Sequence, residues 1–379
     1  MKKINRRKFL YTASTLLLAA GGLSWYNMSK KPPLGMPIDD ALIKNGQALL
    51  NKIIAIDIHA HPGRSFIEGA KDIDFKFNYY ALIGRFEEET IADMKKAGFV
   101  ASSFSTVSDY QILRLGKNGI SARREFNANE AWQSYQTQIA TLKSLITNDV
   151  IQIRTPKDIF TAKTTGKIGM LFSAEGADFL QGNLDNLDSC YNDGIRCITL
   201  MHYHINKIGD IQTQAARHNT LTPFGTSLIK KMNKKGIIID LAHAHKKTLN
   251  KALEVTQKPV MISHALIRHK NFDHPRYIDA EDAKRVAQTG GLVGVWPAGL
   301  GLHTLSDYID QIFRQIDDIG INHVAIGTDM DANYKPVFYN YTQAPILAGA
   351  LLKRGLTQDE AGKILGGNFI RFFKEVVKQ

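Results

Sequence analysis

The stretch IDIHAHPG, Ile56 to Gly63, opens as an apolar strand, sets two histidines one residue apart and breaks on Pro-Gly. Side chains alternate along a strand, so residues i and i+2 share a face. His59 and His61 therefore turn the same way at the end of the run, and Pro62-Gly63 stops the strand once both are placed. Two imidazoles on one side, joined by a carboxylate from a neighbouring strand, are donor types that Zn2+ or a similar ion takes. A lone His-x-His also fits core histidines bonded to carbonyls, so the rest of the chain has to decide.

Outward from this stretch the chain keeps a βα rhythm. Short apolar runs recur at 53–59, 98–104, 168–174, 194–200, 236–242, 259–263, 291–296 and 323–328. Several are near-continuous, as expected of parallel strands buried on both faces. Amphipathic segments at 86–98, 223–236, 277–291 and 306–320 lie between them, a longer excursion over 105–165 holds a helix near 129–147, and the stretch from Thr342 to Lys378 reads as two further helices. Eight strands with crossover helices predict a single α/β domain, a (β/α)8 TIM barrel, over residues 46–379. An open doubly wound sheet is the competing architecture.

In such barrels the chemistry lies at the C-terminal ends of the strands. The first expected strand ends in His59-Ala-His61, the third in Ser-Ala-Glu175, and the fourth in Met-His202-Tyr-His204. The fifth ends in His243-Ala-His245, the sixth in Ser263-His264, and the eighth in Asp329-Met-Asp331. Of the chain's 12 histidines, seven fall at these ends. Core histidines bonded to carbonyls do not explain that clustering at one end, whereas a metal centre does. His204, His245, Asp57 and Asp331 read as supporting or structural groups, since a ligating imidazole needs a partner on its other nitrogen.

The net charge of +12 suggests a nucleic-acid binder until it is located. Residues 1–31 carry seven Lys/Arg and no acid, leaving +5 on the remainder, and no basic run with interleaved aromatics occurs there. No nucleic acid is expected as a partner. Residues 1–27 (MKKINRRKFLYTASTLLLAAGGLSWYN) have the charged start and apolar run of a secretory signal, with Arg6-Arg7 of the twin-arginine type. The protein is then exported, to the periplasm, through the matching export machinery, or is held at the inner membrane by an uncleaved leader. Residues 28–45 read as a stem. Cys190 and Cys197 lack zinc-site spacing and read as two unpaired buried thiols, although a disulfide would be allowed after export.

Seven segments, taken in order, resemble the membrane dipeptidase (renal dipeptidase) family of zinc peptidases, within the amidohydrolase-type barrels. They are IDIHAH (56–61), LFSAEGADFL (171–180), ITLMHYHIN (198–206), IDLAHAH (239–245), PVMISHAL (259–266), DHPRYIDAEDAKRVAQTGGLVGV (273–295) and HVAIGTDMD (323–331). The resemblance implies two zinc ions per chain. One is held by His59, His61 and Glu175, and the other by His243 and His264 with Glu175 bridging. His202 faces the substrate carbonyl, Arg276 binds the substrate's terminal carboxylate, and Asp329 acts as the acid/base. The substrate it implies is a dipeptide, cleaved at its amide bond by hydroxide activated between the metals, and it allows a homodimer. Two positions depart from the family pattern. The family usually has His-x-Asp where this chain has His61, so a neutral ligand replaces an anion, and Ala332 stands where Gly is frequent. Other hydrolases of this barrel type, a lactonase or a non-peptide amidase, share His-x-His. A metal-binding protein without turnover and a membrane-anchored structural protein are the non-enzymatic alternatives.

Overall fold

The computed structural model describes residues 31–77, 86–117 and 119–377. The leader expected over residues 1–27 lies outside them. Eight parallel strands pair in chain order: β1 (Ala55–Asp57), β2 (Phe99–Val107), β3 (Ile168–Glu175), β4 (Cys197–Thr199), β5 (Ile238–Asp240), β6 (Met261–Ala265), β7 (Leu292–Val295) and β8 (Val324–Ile326). The ring comes back on itself where Ile58 N donates to Ile326 O, Asp329 N to His59 O, and His61 N to Met330 O. At least one helix lies between each pair of successive strands. This is the expected barrel, nearly closed: β8 and β1 meet through the isolated bridge of Ala60 with Met330, and β5 pairs with β6 through one residue couple, Asp240 and Met261.

The local signals act where expected. Gly98 and Gly236 take the left-handed conformation just past helices Glu87–Ala97 and Pro223–Lys235, and the Thr222 side chain accepts from Gly225 N to cap the second. Inside the ring, Ile56, Ile58, Ala101, Leu171, Cys197, Ile238, Met261, Leu292 and Ala325 form one apolar cluster with Phe369, Phe372 and Phe373 of the final helix, Asn368–Val376. The alternate strand residues, among them Phe172, Ile198, Ile239 and Val293, pack outward with the helical layer. Gly294 and Gly327 let β7 and β8 close in, since a Cβ at either would overlap the carbonyl oxygen of Ser263. Cys190 and Cys197 are buried and unpaired.

The structure corrects the sequence reading at several boundaries. A ninth strand, Val150–Ile153, lies within the 105–165 excursion and pairs with the first half of β3, where β4 has not yet begun. The same excursion carries a hairpin, Leu113–Gly116 with Gly119–Ala122. The stem boundary at residue 45 falls inside a helix, Asp40–Lys52, capped by the Asp39 side chain. The helix expected from residue 277 starts at Ala280, because the Asp279 backbone is still extended. The C-terminal stretch is three helical pieces, Ala344–Lys353, Gln358–Gly362 and Asn368–Val376: the chain turns at left-handed Gly355 after the first, and the backbone breaks before the last at Gly366, which lies against the carbonyl of Ile54. Among the described residues no helix is long and apolar enough to cross a membrane.

Candidate metal centre

Simple alternation would put Asp57, His59 and His61 on one face. The chain does otherwise. Ile56 and Ile58 both enter the inner cluster, while Asp57 turns outward, accepting from Tyr341 Oη at 2.8 Å and from Thr328 N at 3.0 Å. Thr328 Oγ1 donates to the same carboxylate. A bend at Ile58–His59 shifts the phase by one residue, so His59 and His61 both face inward, their rings 5.0 Å apart. Asp57 thus ties β1 to the end of β8. It is buried with no basic partner among these bonds, and burial pushes its carboxyl up to about 6 against the pull of the Thr328 and Tyr341 donors.

Glu175, at the end of β3, is the point of convergence. Its Oε1 lies 3.3 Å from His59 Nε2, 3.0 Å from His243 Nε2 and 3.6 Å from His264 Nε2. Its Oε2 lies 3.3 Å from His61 Nε2 and 3.4 Å from His202 Nε2. All of these residues are buried. Two donor triads result, His59–His61–Glu175 and Glu175–His243–His264, each with its donor atoms within 4.8 Å of one another.

The donors fit a metal better than they fit one another. The Nε2 atoms of His59 and His61 are buried without a hydrogen-bond partner. Orphaned polar atoms of this kind are costly and rare. In the second triad, His243 Nε2 and His264 Nε2 lie 3.1 Å apart, and with Glu175 Oε1 they form a triangle of circumscribed radius about 1.9 Å, just under the usual zinc–nitrogen distance of about 2.0–2.1 Å. One proton bridges one edge of such a triangle, whereas a cation near its centre meets all three lone pairs.

The electrostatics agree. Burial raises the Glu175 carboxyl, but the imidazoles of His202 and His59 outweigh it and hold it well below the usual carboxylate range. Burial, helped by Arg276 at His243 and by His59 at His264, holds both of those imidazoles well below their ordinary value, leaving them neutral and able to ligate. Burial works against a charged His59, yet Glu175 and Asp329 push it up to about 9, so this half of the centre attracts positive charge. Asp329 Oδ1 stands 3.4 Å from His61 Nε2 and 4.0 Å from His59 Nε2. Burial pushes its carboxyl up to about 6 against the pull of His61.

Two further residues frame the centre. His202 Nδ1 lies 2.6 Å from Asp109 Oδ1, while Asp109 Oδ2 accepts from Tyr203 N at 2.9 Å, so the Nε2 edge of His202 is presented toward Glu175. Burial lowers the His202 imidazole, but Asp109 and then Glu175 outweigh it and raise it above its ordinary value. Arg276, in a loop of polar sequence that suits a solvated charge, is 2% exposed. Its Nη2 is 3.2 Å from His243 Nε2 and 3.1 Å from His264 Nε2, its Nη1 donates to Gln212 Oε1, and it stacks over Trp296 at 5.0 Å. Its Nε is buried without a partner.

The structure therefore brings all eight sequence-derived site residues to one rim: His59, His61, Glu175, His202, His243, His264, Arg276 and Asp329. The supporting residues lie just behind or beside them. His204 bridges Asp178 at 2.7 Å and Glu125 at 2.9 Å, and His245 Nδ1 accepts from Lys247 N at a helix start. Asp331 accepts from Gly63 N and Thr90 Oγ1. Sequence reasoning missed Asp109 and Gln212. Asp109 lies two residues past β2, so the strand-end rule reaches it. Gln212 sits in a long loop and carries no such signal.

Fold and site together define a (β/α)8 barrel with a histidine–carboxylate metal centre at its C-terminal rim. The family model for membrane dipeptidase, peptidase family M19, matches residues 44–379, and the chain belongs to that family. Dipeptidase tcpJ of Claviceps purpurea is 28% identical over 228 residues, 58% of this chain and 53% of that protein, so the match spans about half the length of that relative. Among solved structures, the probable dipeptidase PvdM of Pseudomonas aeruginosa superposes with a TM-score of 0.72 at 17% identity, over 89% of this chain and 99% of that one. A metallo peptidase of Rhodobacter sphaeroides, liganded with a phosphinate mimic of the dipeptide L-Ala-D-Ala, gives a TM-score of 0.70 at 17% identity, over 86% of this chain and 99% of that one. At these identities the two structures bear on the fold.

Proposed function

We propose that this chain is a metal-dependent dipeptidase that hydrolyses the amide bond of small dipeptides with two zinc ions. The observation that carries the reading is the convergence of five imidazoles on the two oxygens of Glu175, at 3.0 to 3.6 Å, beside a buried guanidinium. His59, His61 and Glu175 would hold one ion, and Glu175, His243 and His264 the other. Bound there, the ions supply Lewis-acid polarisation of the scissile carbonyl and a lowered pKa for the attacking water.

The chain's own groups do the rest. Asp329, pushed up to about 6, is poised to take the water's proton and return it to the leaving amine near neutral pH. His202, its imidazole raised against burial by Asp109 and Glu175, donates Nδ1–H to Asp109 and, as the imidazolium, presents Nε2–H to the oxygen that gains charge in the tetrahedral state. Arg276 offers a planar fork with an unpartnered Nε to a free carboxylate. That preference selects short substrates with a terminal acid over mid-chain peptide bonds. The dipeptide mimic held by the Rhodobacter sphaeroides protein is in keeping with it. The leader, residues 1–27, we read as an export signal that delivers the folded protein to the periplasm.

The test pairs elemental analysis with a substrate panel of dipeptides, the same dipeptides amidated at the C-terminus, and simple lactones. The expected result is two zinc equivalents per chain and efficient cleavage of free dipeptides only. Metal without turnover would return the protein to a binding role, and equal cleavage of amidated substrates or lactones would overturn the dipeptidase reading in favour of the other hydrolases.

A further inference from the structure

Behind the second triad lies a buried polar network that the proposed chemistry does not use. Asp240, at the end of β5, is fully buried. Its Oδ1 accepts from two backbone amides, Ser263 N at 2.9 Å and Ala242 N at 3.0 Å. Its Oδ2 takes two hydroxyls, Thr199 Oγ1 and Ser263 Oγ, each at 2.6 Å. Ser263 Oγ is also 3.0 Å from His264 Nδ1.

A hydroxyl has one hydrogen. Directed to Asp240, it leaves Ser263 Oγ only as an acceptor toward the ring, so Nδ1 of His264 must carry the proton and Nε2 must be bare. The opposite edge of the ring is compatible with that tautomer. Arg276 Nη2 lies 3.1 Å from His264 Nε2, and a guanidinium has donors only.

We propose that Asp240 is a positioning residue: through the Ser263 hydroxyl it fixes the tautomer of His264 that leaves Nε2 free to bind the second metal ion. This rests on the metal reading above. A carboxamide at 240 reverses the relay for a definite reason. The two backbone amides demand an acceptor at the Oδ1 position, so the NH2 group must take the Oδ2 position and donate to Ser263. The serine hydroxyl then turns to donate to His264 Nδ1, and the ring proton moves to Nε2, the atom the metal needs.

The experiment is a double-mutant cycle of Asp240→Asn and Ser263→Ala, read by zinc titration against a chromophoric chelator. Asp240→Asn alone should weaken the second zinc equivalent by about 10- to 100-fold, the usual effect of removing an outer partner of a metal ligand, with the first unchanged. In the Ser263→Ala background it should add less than about threefold, because the relay is already cut. A second readout needs no metal: in metal-free, 15N-histidine-labelled protein, long-range proton–nitrogen correlations should place the His264 proton on Nδ1 in the wild type and on Nε2 in Asp240→Asn. An equal zinc loss in both backgrounds, or a wild-type His264 protonated at Nε2, would overturn the proposal even if Asp240→Asn folds poorly. Wild-type protein that takes up no zinc would sink the metal reading instead, and the tautomer measurement would still decide the relay.

Discussion

The two halves of the metal centre are built in opposite ways. In the β1 half, His59 and His61 come from one extended segment, two residues apart, and main chain fixes the second of them, His61 Nδ1 lying 3.1 Å from Ser105 O. In the β5–β6 half, each strand gives one histidine. His243 sits at φ +66°, a left-handed conformation unusual for a residue with a Cβ, and His264 is backed by the Ser263–Asp240 network. The first half uses strand period and nearby carbonyls. The second needs a strained backbone, a buried carboxylate and close strand packing to aim two rings at one point. Strain of that kind persists only where the surroundings over-determine it, and here Gln212 N donates to His243 O while the rings of His202 and Tyr203 pack against His243 at 4.6 and 5.0 Å. Glu175 joins the halves and answers to both.

The contrast breaks most completely at that shared carboxylate. Glu175→Gln removes the one anion common to both triads, so both zinc equivalents should be lost and dipeptide turnover should fall by about 10⁴-fold or more, since the metals supply several kcal/mol of transition-state stabilisation. Retention of one tight equivalent, seen by elemental analysis, would show that the halves are independent. Asp329→Asn should leave both equivalents in place while lowering kcat by about 10²–10⁴-fold, the range for loss of a general acid/base. A drop in metal content would make Asp329 part of the β1 half instead.

The smallest effect concerns a neighbour of the centre that belongs to neither half. Burial opposes a charged His204, but Asp178 and Glu125 push it up to about 9. Its folded value lies above the ordinary histidine value of about 6.5. Its ion pairing therefore stabilises the fold fully below that value, and the contribution is lost as pH rises through about 9. The difference in Tm between wild type and His204→Gln should be a few degrees at pH 6, about 2–4 °C per kcal/mol in a large domain, and should shrink by pH 9.5. A difference that grows with pH would mean that His204 is held neutral.

Much of the fold was legible because its signals are local. Eight apolar runs with helical spacers match the eight barrel strands, and helix ends fall where Gly98 and Gly236 supply a left-handed residue. The ninth strand, Val150–Ile153, escaped notice because four residues without alternation are too short to separate from a loop, and their pairing with β3 is long-range. Arg276 stands out through the family resemblance and not through its neighbours, for a related reason. Its sequence neighbours Arg268, His269, Lys270 and His274 suggest a solvated loop, while Trp296, Gln212 and the two histidines that bury it come from elsewhere in the chain.

The sequence by itself determined the strand–helix rhythm and which donors stand at strand ends, because periodicity and side-chain chemistry are properties of neighbours along the chain. Only the tertiary structure decided that Asp57 turns away while His59 and His61 turn in, that His243 takes a left-handed backbone, and which carboxylate backs which imidazole. Those choices depend on phase and register between strands far apart in sequence. Packing of the whole barrel sets them, and no single segment encodes that.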